Sequence, residues 1–90
     1  MLFSAHKIYN QLSALLGRAE ALGLPLVDIT ASKEYLQYNE YELCLEQVIT
    51  QLYEYDIEID SEFYKEVEST AKLLAISQSS YEYIAELIRK

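Results

Sequence analysis

Nine apolar residues, Leu2, Ala5, Ile8, Tyr9, Leu12, Leu15, Leu16, Ala19 and Leu22, recur three and four positions apart across the start of the chain. Only an α-helix brings such a series onto one side, so the spacing predicts a helix of about twenty residues that must cover its apolar stripe with other elements. Gly23 and Pro25 follow it. The first tolerates the left-handed turn that ends a helix and the second cannot continue the hydrogen-bond ladder, so the helix is expected to stop at Leu22.

The same periodicity returns further on. A second helix is expected over Leu26–Tyr38 with Val27, Ala31, Tyr35 and Tyr38 on one side. A third, over Glu40–Tyr53, is expected to be the central one, with Tyr41, Cys44, Leu45, Val48, Ile49 and Leu52 turned inward. Asp60 or Ser61 is placed to cap a fourth helix striped with Phe63, Tyr64, Val67, Ala71 and Leu74, and Glu62 suits the positive end of its dipole. Ser79 and Glu82 have capping-box spacing ahead of a fifth, short helix carrying Tyr81, Ile84, Ala85 and Ile88 inward, with Arg89 and Lys90 at its negative end. Ninety residues with half their number hydrophobic, two glycines and one proline favour a folded chain over disorder. The expected fold is all-α, a single-domain bundle of four to five short helices over residues 1–90.

One stretch breaks the helical rhythm. In QLYEYDIEID, residues 51–60, Leu52, Tyr53, Tyr55, Ile57 and Ile59 alternate with Glu54, Asp56, Glu58 and Asp60. No second alternating run offers a strand partner, so the segment is expected to be a connector between the third and fourth helices, with Ile57 and Ile59 pinned to the core and Glu54, Asp56 and Glu58 in water.

The residue types that carry catalysis or bind metals are sparse. His6 stands beside Lys7 with no acid at ligand-pair spacing, and Cys44 lies between Leu43 and Leu45 as a small buried hydrophobe rather than a reactive thiol. Asp56, Glu58 and Asp60 alternate like the start of a calcium loop but lack its central glycine. Neither enzymatic activity, cofactor nor metal is expected. The N-terminus has no run suited to a signal peptide and no stretch is long and apolar enough for a bilayer, which favours a cytoplasmic protein with no membrane partner.

Charge says more. The net charge is −8, and ten of the fifteen acids fall between Glu40 and Glu68, a span whose only base is Lys65. Direct binding to nucleic acid is disfavoured and a basic protein partner is favoured. Candidate partner-binding residues are Tyr53, Glu54, Tyr55, Asp56, Glu58 and Asp60 in the connector, with Glu42, Glu46, Glu62 and Glu66 on the flanking helices. Tyrosines among them supply stiff contact surface with a polar tip.

The segment YLQYNEYELCLEQVITQLYEYDIEI resembles the small helical immunity proteins of bacterial toxin and immunity systems, the MafI-like group and relatives from contact-dependent growth inhibition. The likeness rests on Asn39 and Glu40 between two helices, then Leu43, Leu45 and Glu46, then Gln51, Leu52, Tyr53 and Glu54. It extends in pattern through FYKEVESTAKLLAI and YEYIAEL, covers roughly residues 30–88, and leaves the first helix outside. The resemblance implies a cytosolic protein made beside a polymorphic toxin, which it neutralises by binding the toxin's C-terminal domain, often a nuclease. A general acidic helical interaction module or regulatory adaptor is the alternative reading.

Overall fold

The uninterrupted spacing of the first segment becomes a single helix, α1 (Leu2–Leu22), followed by α2 (Leu26–Gln37), α3 (Tyr41–Glu54) and α4 (Ser61–Leu73). The chain finishes in two 3-10 turns, Gln78–Ser80 and Glu82–Leu87. The structure, a computed structural model, describes residues 2–89 and the side chains of residues 6–89; the inward placement expected of Leu2 and Ala5, and the role expected of Lys90, lie outside the described residues. The all-α bundle is as expected.

All four helices end by one backbone device. After α1, Gly23 takes φ +115°, its N–H donates to the Glu20 carbonyl, and the Leu24 N–H donates to the Ala19 carbonyl at 3.0 Å. The same pair of bonds closes α2 through Asn39, α3 through Asp56 and α4 through Ala75, whose φ values are 62°, 55° and 58°. These are Schellman motifs, and they reverse the chain while satisfying carbonyls that a helix end would otherwise strand. Three of the four use a residue with a side chain. For Ala75 the left-handed conformation costs about 1 kcal/mol or more without a polar side chain to offset it. Ala75→Gly is therefore expected to stabilise the protein by about 0.5 to 1 kcal/mol, net of glycine's greater freedom in the unfolded chain. A thermal melt that fails to rise would show that the turn carries no such strain.

The core forms where α1, α3 and α4 meet. Leu12, Leu15, Leu16 and Ala19 of α1 face Cys44, Leu45, Val48, Ile49 and Leu52 of α3, with Phe63, Val67 and Ala71 of α4, all buried. The inward face of α3 is the one its sequence predicted. The helix that packs extensively on all three others, however, is α1, whereas α3 lies against α1, α2 and the second 3-10 turn. Burial pushes the Cys44 thiol up to about 12, so it stays protonated and packs as a hydrophobe.

Two further expectations are corrected. The buried residues of α2 are Asp28, Ile29, Ser32 and Leu36, while Val27 and Tyr38 are 70% and 75% exposed and Ala31 and Tyr35 half-buried. The helix is thus turned by about one residue, near 100°, from the orientation that ranking side chains by hydrophobicity gives. Asp28 enters the interior because the Gln47 amide of α3 donates to its Oδ1 at 3.0 Å. Its Oδ2 and the Ser32 hydroxyl are buried without a hydrogen-bonding partner among the described residues.

The fifth helix is 3-10 rather than α. No side chain caps it: the Ser79 hydroxyl lies 3.2 Å from that of Ser77 instead. Its inward residues are Tyr81, Ile84 and Leu87, three apart as a three-residue turn requires, while Ala85 is exposed and Ile88 half-buried. This tail supplies the partner that the alternating segment lacks in the sequence. The Ile59 N–H donates to the Leu87 carbonyl at 2.9 Å, and Ile59 pairs with Ile88 in a single parallel bridge too short to make a strand.

Candidate protein-binding surface

The connector begins where Asp56 turns left-handed and the Ile57 N–H closes the end of α3 on the Leu52 carbonyl at 3.0 Å. That turn throws Ile57 and Ile59 inward, half-buried and buried, and leaves Glu54, Asp56 and Glu58 exposed, as the alternation predicts; Tyr55, on the apolar side of that alternation, is exposed with them. The corner is wedged by aromatic contacts. Tyr53 and Tyr83 meet edge to face with ring centroids 4.9 Å apart, and Tyr64 of α4 lies tilted against Tyr81 at 6.0 Å.

The ten candidate residues divide by what they touch. Asp60 caps α4, its Oδ1 accepting the Phe63 N–H at 2.7 Å, and it lies 3.5 Å from an Arg18 nitrogen. Glu66 receives the other Arg18 nitrogen at 2.7 Å. Asp56 is ion-paired with Arg89, which also reaches the Asp56 carbonyl. The Tyr53 hydroxyl donates to Glu86 Oε1 at 3.1 Å, and that carboxylate beside it raises the phenol's pKa, so Tyr53 stays a donor at neutral pH. Glu54, Glu58, Glu42, Glu46 and Glu62 are exposed and form no ion pair among the described residues, and Tyr55 is 49% exposed.

The free carboxylates therefore fall into two groups, one at the connector and one on the outer faces of α3 and α4. At the connector the C-terminal tail extends the surface with Glu86 and Tyr83. Glu86 escapes a sequence reading because it belongs there only once the tail folds back, and the period of three in Tyr81, Ile84 and Leu87 is the one signal that foretells that geometry. Arg89, expected to offset a helix dipole, instead neutralises Asp56.

Ionised carboxylates accept and never donate, so such a corner is chemically suited to ammonium and guanidinium groups, with flat phenol faces beside them for cation–π contact or packing. Among the described residues no group of three His, Cys, Asp or Glu side chains is placed to hold a metal ion, and no helix is long and apolar enough to cross a membrane. Comparison with protein-family models, with characterised proteins and with solved structures finds no match to the chain.

Proposed function

We propose that this protein is an inhibitor of the immunity type, which binds and neutralises the basic C-terminal domain of a polymorphic toxin of the contact-dependent growth inhibition kind. In this reading the toxin domain is a nuclease. An enzyme that cleaves nucleic acid must attract phosphates, so its active-site cleft is cationic, and an inhibitor gains by placing carboxylates where phosphates would lie. The protein acts in the cytoplasm, catalyses nothing and takes no cofactor or metal.

The observation that carries this reading is the corner itself: Glu54 and Glu58 are exposed, in no ion pair among the described residues, beside the exposed rings of Tyr53 and Tyr55. Charges at the rim of such a contact chiefly steer association, and buried aromatic anchors chiefly hold the complex together.

Co-purification with the product of the adjacent toxin gene is the first test, and absence of a stable complex sinks the proposal. With a complex in hand, Glu54→Lys with Glu58→Lys is expected to slow association about tenfold or more and flatten its dependence on salt, with the melting curve unchanged within about 0.5 kcal/mol. Asp56 is left intact in this variant because it holds Arg89. Tyr55→Ala is expected instead to speed dissociation. If association rate and salt slope are unaltered, contact falls on the second acidic group, around Glu42, Glu46 and Glu62.

A further inference from the structure

We infer that the groove between α1 and α4 is a binding site for small multivalent phosphates. The groove has two adjoining lobes of about 320 Å³ each, which share Lys65 and Ser69. Lys7 reaches it from α1, and Lys65, Ser69 and Lys72 from one face of α4, at spacings of four and three. Three of the chain's seven basic residues are thus gathered on one groove of a protein with net charge −8.

None of the three lysines is in an ion pair among the described residues. Of the two acids that line the groove, Glu66 is held by Arg18 at 2.7 Å, and Glu68 lies beside the Tyr64 and Tyr81 phenols.

The hydroxyl at the centre is set to donate. Gln11 Nε2 donates to Ser69 Oγ at 3.1 Å and to Thr70 Oγ1 at 3.0 Å, and the Thr70 hydroxyl donates to the Glu66 carbonyl at 2.8 Å. With its oxygen already accepting, Ser69 has its O–H free for the groove. The available groups are therefore three ammonium ions and one hydroxyl proton, a set suited to a ligand rich in anionic oxygens.

Lysines on opposite walls favour an anion with several charged centres over a single carboxylate. The acids concentrated between Glu40 and Glu68 oppose a long polyanion such as RNA, which would have to run beyond the groove. A short one is spared most of that repulsion, because salt screens charges beyond about 8 Å at physiological ionic strength.

The test is an amide NMR titration with sodium pyrophosphate, matched in ionic strength by sodium sulfate. Pyrophosphate is expected to shift the Lys7, Ser69 and Lys72 amides saturably, with a Kd below about 1 mM, and sulfate to do so far more weakly. Lys65→Gln with Lys72→Gln should weaken binding about tenfold or more, and Lys7→Gln, on the opposite wall, severalfold, whereas Lys33→Gln on α2 should leave it unchanged. Equal responses to the two salts, or undiminished binding by both groove variants with native-like spectra, would overturn the inference.

Discussion

Leu45→Ala is expected to lower stability by about 2 to 5 kcal/mol, the range for emptying a fully buried leucine site. Leu45 is fully buried on α3, within the core cluster shared with α1 and α4. A domain of this length has only about 5 to 13 kcal/mol to lose, so the variant should unfold at markedly lower urea with an unchanged slope. Leu43, two residues earlier on the same helix, is 43% exposed, and Leu43→Ala should fall within about 0.5 kcal/mol of the parent. Equal midpoints for the two variants would mean that α3 does not present this face to the core.

Gln47→Leu should be nearly as damaging for a different reason. The substitution adds apolar surface, yet it removes the hydrogen bond to a carboxylate whose second oxygen is already buried and unpartnered. A hydrogen bond to a charged group contributes about 1.5 to 3 kcal/mol, and its loss strands Asp28 between α2 and α3. Expected destabilisation is about 2 to 3 kcal/mol. The decisive measurement is the double variant: Asp28→Ala added to Gln47→Leu should recover a good part of that loss, because it removes the stranded charge. If the two costs simply add, the Asp28–Gln47 pair is not the source.

Asp28 also marks where the sequence stops being legible. Helices α1, α3 and α4 could be read because their apolar residues outnumber the alternatives on one face, so hydrophobic burial alone orients them. In α2 the buried side is half polar, and Asp28 belongs there only because Gln47, nineteen residues later, is waiting for it. No local pattern encodes such a partner. The tail failed for a related reason. Ser79 and Glu82 satisfy a helix-cap pattern, but the side chains that the core takes in here, Tyr81, Ile84 and Leu87, are spaced by three, and Ile59 holds the end of the turn through the Leu87 carbonyl.

For the acidic surface, the exposure of the connector acids followed from alternation. Their pairing did not: Arg18 meets Asp60 and Glu66 across separations of 42 and 48 residues, and Arg89 meets Asp56 across 33. Which carboxylates stay unpaired among the described residues is decided by the folded arrangement.

That division has an evolutionary consequence. Asp56 and Asp60 serve the scaffold as turn, cap and counter-ion, so most replacements there carry a folding penalty whatever the partner. Glu54 and Glu58, in no ion pair among the described residues, can drift at little cost to stability. The proposed inhibitory role would draw on that latitude: a few positions free to track a changing toxin surface, set between neighbours that keep the corner in place while they change.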